Sequence, residues 1–193
     1  MTSRVMLISP AVGPSLRQAR FDDDGPLDPA GAEQAKAVAA AAAVPAADRV
    51  LASPSVRCRE TAAALGLNAA PAPPGPGGWA MGRWRGRTLA EVMAAEPEAV
   101  AAWLADPASA PHGGESLLDL CERVGGWLDA AADEPGRLIA VVESDVVRAA
   151  VVRALGIPAA AFWRIDVGPL AAVELSGRAG RWNLRAGRPL GFH

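Results

Sequence analysis

Residues 53–62 read SPSVRCRETA and connect two segments of different character. The preceding segment, 49–52, is short and apolar at its centre, which indicates a buried strand. Ser55 offers a side-chain oxygen as the N-cap of a helix over 56–65, and Gly66 suits the left-handed position that ends a helix. A strand that passes into a helix through a short polar turn is the repeating unit of α/β proteins.

A similar unit precedes this one. The apolar run 5–8 is interrupted by Ser9 and Pro10, which is typical of a buried strand followed by a turn. Asp28 then offers an N-cap for a helix over 29–43. The N-terminal part of the chain is therefore predicted to repeat the order strand, turn, helix.

The rest of the chain continues the alternation. The pattern predicts helices over 88–95, 97–105, 116–131 and 145–155, and strands over 138–142, 171–175 and 181–185. Residues 68–78 are almost wholly Ala, Pro and Gly, which indicates an ordered loop or a mobile flap. We predict one α/β domain over residues 1–193, a three-layer α/β/α arrangement with a mostly parallel sheet. Its ligand site is expected at the carboxyl ends of the strands, near Ser9, Ser53 and Glu143.

The composition argues against several kinds of partner. The net charge is -2 and no basic cluster is present, so a nucleic-acid partner is not expected. No apolar run is long enough to span a membrane or to form a signal peptide, and we expect a cytoplasmic protein. Cys58 and Cys121 lack the spacing of a zinc site or a disulfide framework and are interpreted as free thiols. The acidic run 22–24 lacks the alternation of a calcium loop, so we interpret it as a turn and expect neither a metal nor a cofactor.

The order of five segments resembles the histidine phosphatase superfamily, also called phosphoglycerate mutase-like. LISPA at 7–11 stands where that family has Leu-Val-Arg-His-Gly, and LDPAGAEQA at 27–35 is similar to its Leu-Thr-x-x-Gly-x-x-Gln-Ala helix start. Residues 53–62 match Ser-Pro-x-x-Arg-x-x-x-Thr-Ala. GRWRG at 82–86 resembles Gly-x-Trp-x-Gly, and GES at 114–116 resembles Gly-Glu-Ser. The resemblance implies a phosphoglycerate mutase-like fold over most of the chain.

The same resemblance implies a degenerate site. In that family a histidine is phosphorylated, a second histidine and two arginines hold the phosphate, and a carboxylic acid protonates the leaving oxygen. Carried over by position, the nucleophile is Pro10, the arginine before it is Ser9, the second histidine is Glu143 and the acid is Gly78. Arg57 alone remains of this core set. Because loss of a nucleophile typically lowers turnover by about 10⁶, no catalytic residue of the family's kind is expected.

The remaining polar residues have more than one interpretation. Arg57 is either a ligand contact or the partner of Glu143 in an ion pair that closes the anion site. His112 is a ligand-binding residue and candidate displaced base, or an ordinary loop histidine. Trp79 is a wall of a ligand pocket or a core residue, and Ser9 is a further ligand-binding candidate. Glu143 is also a candidate carboxylate nucleophile.

The leading interpretation is a non-catalytic module that binds an unknown small molecule or a protein, with a homodimer as the expected assembly. Two alternatives remain open. One is a repurposed enzyme that uses Ser9, His112, Glu143 or Asp145 on a small molecule. The other is a weak residual phosphatase.

Overall fold

The structure is a computed structural model that describes residues 2–21, 23–178 and 180–186. The strands in this part of the chain are β1 (Ser3–Ile8), β2 (Arg49–Ala52), β3 (Ala70–Pro71), β4 (Gly136–Val141), β5 (Ala172–Arg178) and β6 (Arg181–Arg185). The α-helices are α1 (Pro14–Arg17), α2 (Pro29–Ala40), α3 (Val56–Ala64), α4 (Leu89–Ala95), α5 (Pro97–Ala105), α6 (Leu117–Asp133) and α7 (Ser144–Leu155). Short 3₁₀ helices lie at Gly82–Trp84 and Ala159–Arg164.

The strands form one sheet in the order β3-β2-β4-β1-β5-β6. The pairs from β3 to β1 are parallel, whereas β5 runs antiparallel to β1 and β6 antiparallel to β5. The predicted mostly parallel sheet is therefore confirmed. The antiparallel pair of β5 and β6 extends the sheet beyond β1.

Helices cover both faces of the sheet. Side chains on a strand alternate between its two faces, so each central strand packs against both layers of helices. In β1, Val5 and Leu7 pack into a cluster with residues of α6 and α7. Met6 and Ile8 pack into a second cluster with residues of α2 and α3. The strands at the centre of the sheet are apolar on both sides for this reason. The three-layer α/β/α prediction is confirmed.

The carboxyl ends of three strands are aligned at one edge of the sheet. Ile8 and Ala52 both lie beside Val141 in the strand register. The backbone N–H of Ser53 donates to the carbonyl of Val141, and that of Val142 donates to Ile8. Helices α3 and α7 begin a few residues after these strands, so their first turns face the same space.

The structure departs from the sequence predictions at several element ends. The predicted helix over 29–43 ends at Ala40, and Ala42 adopts a left-handed conformation with φ of 49°. An alanine run gives no local sign of where the helix ends. Strand β3 lies within the predicted loop 68–78, because its two residues pair with β2. Asp22, the first residue of the acidic run, lies outside the described residues.

None of the helices in the described part of the chain combines the length and hydropathy needed to cross a membrane. The cytoplasmic location and the homodimer stay predictions.

Two helical glycines provide a matched test of packing. A Cβ at Gly31 in α2 would overlap the backbone carbonyl of Val12, whereas a Cβ at Gly126 in α6 would meet no atom within 4 Å. We expect Gly31→Ala to destabilise the fold by about 1–3 kcal/mol through overpacking. The matched control, Gly126→Ala, should stabilise it by about 0.5–1 kcal/mol through helix propensity. Urea unfolding of both variants measures the two changes, and a Gly31→Ala protein as stable as wild type would contradict the close approach of α2 to Val12.

Candidate active site

A cavity of about 290 Å³ lies at the carboxyl edge of the sheet. Pro10, Gly78 and Trp79 contribute to its lining, as the sequence predicts for a ligand site. The charged residues of the lining are Arg20, Arg57, Glu143, Asp145 and Arg148. Aromatic side chains contribute Phe21, Trp79, Trp103 and Trp163. The cavity therefore combines a charged region with an aromatic one.

The predicted ion pair between Arg57 and Glu143 is present. Nε of Arg57 lies 2.8 Å from Oε1 and 2.9 Å from Oε2 of Glu143. Ser55 Oγ donates to the same Oε1 at 2.7 Å, while Nη1 of Arg57 lies 3.2 Å from Oδ1 of Asp23. The two side chains of the pair are only 17% and 13% exposed. The pair therefore joins the first turn of α3 to the residue that precedes α7.

The surroundings of Arg57 stabilise its protonated form. Burial by itself would lower the pKa of Arg57, but the negative charge of Glu143 and the hydrogen bonds that Arg57 donates to Glu143 and Asp23 outweigh burial and raise that pKa. The neighbouring Asp24 accepts a hydrogen bond from the backbone N–H of Val56 at 2.8 Å. Asp23 and Asp24 thus connect their loop to α3, and the described residues contain no cluster of potential metal ligands.

Two further arginines bring the lining to three guanidinium groups and two carboxylates. Arg148 in α7 lies 3.8 Å from a carboxylate oxygen of Asp145, and its guanidinium carbon is 5.6 Å from the centre of the Phe162 ring. Arg20 lies 3.7 Å from Asp23. Because Asp23 contacts both Arg57 and Arg20, the three guanidinium groups face three carboxylates, and Arg20 also donates to Gln18 and to the carbonyl of Gly86. Arg148 has the longest of these carboxylate contacts and is the positive group best placed for a further anion.

The N-terminus of α7 adds to this positive character. Its N-cap residue, Glu143, uses its carboxylate on Arg57 and Ser55 and makes no side-chain capping bond. The next residues, Ser144 and Asp145, line the cavity. Because the first N–H groups of a helix carry partial positive charge, this end of the cavity favours an anionic group.

Ser9 and His112 do not line the cavity, contrary to the sequence interpretation. Ser9 is fully buried, and its hydroxyl donates to the carbonyl of Gly168 at 2.7 Å. His112 is 1% exposed, its Nδ1 accepts from the N–H of Gly114, and its ring lies 5.1 Å from the Trp84 ring. Burial and then the charge of Arg83 lower the pKa of His112. Both residues serve packing in the described part of the chain.

The loop 68–78 is held by Arg123, a residue that the sequence analysis missed. Arg123 donates to the carbonyls of Gly75, Gly77 and Gly78 at 2.7, 2.9 and 3.1 Å. It also pairs with Glu115 at 2.7 Å. These contacts favour an ordered loop over a mobile flap. A residue in the middle of α6 carries no local signal that it will bind carbonyls from a distant loop.

The position of Trp79 follows from this loop. Its indole N–H donates to the backbone carbonyl of Glu115 at 2.7 Å. Trp79 is 4% exposed and still contributes to the cavity lining, so it is both a core residue and a pocket wall. The cavity is also lined by Trp103, Trp163 and Arg148. Of these three, only Arg148 could be placed from the sequence, because it lies one turn after Asp145 in the predicted helix.

Comparison with known proteins identifies similar sequences and structures. Residues 15–188 match the family model of the histidine phosphatase superfamily, branch 1. A glucosyl-3-phosphoglycerate phosphatase of Mycolicibacterium vanbaalenii is 35% identical over 89 residues, which cover 40% of this chain and 39% of that protein. The structure of a mycobacterial glucosyl-3-phosphoglycerate phosphatase with VO3 has a TM-score of 0.81 at 26% identity, covering 94% of this chain and 96% of that one. An alpha-ribazole phosphatase of Shigella flexneri shares the fold, with a TM-score of 0.82 at 22% identity over 98% and 99% of the chains.

The two glucosyl-3-phosphoglycerate phosphatases contradict the leading interpretation of a non-catalytic binding or interaction module, because they are named as phosphatases. That interpretation was based on the loss of the family's nucleophile, second histidine, first arginine and acid, and the pair between Arg57 and Glu143 was one expected way to close the anion site. The structure instead retains a cavity beside the pair, with Arg20 and Arg148 in its lining. The chain thus has the fold of phosphatase-like hydrolases and a cavity at the carboxyl edge of its sheet.

The stability contributed by the ion pair can be measured. Removing one partner of a buried pair typically destabilises a protein by about 3–5 kcal/mol, and because Arg57 retains Asp23 we expect roughly 2 kcal/mol for Glu143→Ala. Arg57→Ala and the double variant complete a double-mutant cycle in urea. Glu33→Ala, which removes an exposed pair with Lys36, is the control and should leave stability unchanged. Additive effects of Arg57→Ala and Glu143→Ala would show that the two side chains do not interact.

Proposed function

The chain belongs to branch 1 of the histidine phosphatase superfamily, and we propose that it hydrolyses small organic phosphate monoesters in the cavity, with Glu143 directing water in place of a histidine nucleophile. The observation that carries the proposal is the carboxylate of Glu143, which lines the cavity and is held by Arg57 and Ser55. The phosphatase names of the relatives support the reaction class.

Phosphate binding falls to the groups that are not used by the ion pair. Arg148 supplies positive charge, and the first N–H groups of α7 supply hydrogen-bond donors. Arg20 also lines the cavity, but its guanidinium donates to Gln18 and to the carbonyl of Gly86. A carboxylate about 4 Å from a phosphate oxygen repels it by roughly 4 kcal/mol at an effective dielectric constant of 20. Arg57, at 2.8 Å from Glu143, opposes part of this repulsion, although its charge is shared with Asp23. The binding of an anion beside Glu143 therefore depends on Arg148 and the first N–H groups of α7.

The carboxylate of Glu143 has the capacity to hold a water molecule. Oε1 accepts hydrogen bonds from Ser55, Arg57 and the thiol of Cys58, whereas among the described residues Oε2 accepts from Arg57 alone. A carboxylate oxygen has two lone pairs, so Oε2 can accept a further bond from water. Arg57 and Ser55 fix the orientation of the group, which is what a general base requires.

The reaction proceeds by direct displacement at phosphorus. The water oxygen forms a bond to phosphorus, its proton passes to Glu143, and the bond between phosphorus and the ester oxygen breaks. The departing alkoxide takes a proton from solvent, and Glu143 returns its proton to solvent. Pro10 has no nucleophilic atom, so no phosphorylated enzyme forms. Without a covalent intermediate or an acid at Gly78, we expect turnover well below the roughly 10 per second that is typical of enzymes.

The role of Glu143 can be tested by steady-state kinetics with p-nitrophenyl phosphate and glucose 6-phosphate. We expect Glu143→Gln to lower kcat by about 10²–10⁴, the usual contribution of a general base. Glu33→Gln, on the exposed surface, is the control and should retain the wild-type rate. Unchanged phosphate release in Glu143→Gln would contradict the proposal, and a loss confined to Asp145→Asn would assign the base to Asp145 instead. Acid quenching with radiolabelled substrate should trap no label on the protein.

Anion binding can be tested separately from catalysis. Inorganic phosphate should raise the Tm of the wild-type protein by mass action. Arg148→Gln should abolish most of this increase because it removes a cation from the cavity wall. Arg153→Gln is the matched control in the same helix, since Arg153 is half-exposed and pairs with Asp129. An equal response to phosphate in all three proteins would show that the anion binds elsewhere.

A further inference from the structure

One wall of the cavity consists of four aromatic rings, Phe21, Trp79, Trp103 and Trp163, which we call the aromatic wall. Trp103 lies 5.8 Å from Phe21, 5.3 Å from Trp79 and 4.7 Å from Trp163, measured between ring centres. Its plane is nearly perpendicular to those of Phe21 and Trp163. The aromatic wall is thus one connected set of rings rather than scattered apolar residues.

The aromatic wall is only partly covered by the protein. Trp79 and Trp103 are buried, whereas Phe21 and Trp163 are partly exposed and both line the cavity. These two rings therefore present surface to a ligand. Ring faces carry partial negative charge and ring edges partial positive charge, so such a wall favours another ring in a stacked or edge-to-face position.

The aromatic wall lies next to the cation that is available to a phosphate. The guanidinium of Arg148 is 5.6 Å from the Phe162 ring, and Phe162 is 5.1 Å from Trp163 and 5.4 Å from Trp79. A phosphate group on Arg148 would place the attached organic group close to Trp163. The spacing fits a short molecule with an anionic end and a planar apolar end.

The size of the cavity limits the organic group. Pockets for small molecules usually range from about 300 to 1,000 Å³, and this cavity, at about 290 Å³, is at the small end. A phosphate with one ring or a fused pair of rings fits this volume better than a longer molecule. Apart from the charged groups and the hydroxyls of Ser15 and Ser144, the side chains that line the cavity are apolar and include Met81 and Val167. These apolar side chains offer few hydrogen bonds to the hydroxyl groups of a sugar.

We propose that the aromatic wall is a substrate subsite that selects phosphate monoesters whose organic group is a planar aromatic ring. This inference rests on the proposed function for the hydrolysis of the bound ester, although the binding preference itself is measurable without turnover. Trp163 is the residue expected to contact the ring, because it is partly exposed, lines the cavity with Arg148 and packs on the Phe162 ring that Arg148 also approaches.

The test compares three esters that have the same phosphate group and an alcohol leaving group. Benzyl phosphate carries an aromatic ring, cyclohexylmethyl phosphate a saturated ring, and glucose 6-phosphate a sugar. Dissociation constants come from quenching of tryptophan fluorescence or from calorimetry, and phosphate release is followed in parallel. We expect benzyl phosphate to bind about three- to tenfold more tightly than the other two esters, as an aromatic contact contributes.

Two variants locate the preference. Trp163→Leu should make the three dissociation constants equal, with little change for glucose 6-phosphate. Trp127→Leu is the control, because Trp127 is also partly buried but does not line the cavity. It should retain the wild-type preference.

Several outcomes would overturn the inference. These are equal binding of benzyl and cyclohexylmethyl phosphate, tighter binding of glucose 6-phosphate, no binding of any ester, or a preference that survives Trp163→Leu. A preference for benzyl phosphate that Trp163→Leu removes, without phosphate release from any ester, would support the subsite and reject the proposed hydrolysis. Release from all three esters without a binding preference would support the proposed hydrolysis and reject the subsite.

Discussion

The pair between Arg57 and Glu143 determines how the rest of the cavity is arranged. It connects the start of α3 to the residue before α7 and so links the segments that follow β2 and β4. Asp23 brings a third segment to the same guanidinium. Because both members of the pair are largely buried, neither charge can be lost without leaving the other in a poorly solvated place. The charge at this point is fixed by the fold, and a ligand meets an arginine that is already paired with Glu143 and Asp23.

Because Arg57 is already paired, an anion must be bound by other groups. The guanidinium of Arg57 is occupied by two carboxylates, whereas Arg148 has a more distant contact with Asp145 and faces the cavity from the side of α7. Arg148 also lies beside the Phe162 ring, so a phosphate bound to Arg148 would lie near the aromatic wall. The glutamate at position 143 thus connects the charge balance, the place of the anion and the part of the substrate that the cavity can recognise.

The sequence could predict the elements whose signals are local. The alternation of strands with helices and the N-cap at Ser55 led to the three-layer fold, and two strands ending at one edge led to the contact between Arg57 and Glu143. The burial of His112 could not be inferred, because a loop position gives no sign that the ring will pack on Trp84. Nor could the aromatic wall, since its members come from distant segments and meet only after folding. Contacts of this kind depend on tertiary packing rather than on spacing along the chain.

The motif at residues 53–62 indicates the fold of the chain but not the chemistry of its cavity. Ser55 caps α3, and the hydroxyl of Thr61 accepts a hydrogen bond from the backbone N–H of Ala11 at 3.0 Å. This bond holds the turn after β1 just beyond Pro10, whatever side chain occupies that position. A match to the motif therefore reports the framework around the cavity. The chemistry must be argued from the groups that line it, and Glu143 is the one held in place by the framework itself, through Ser55 and Arg57.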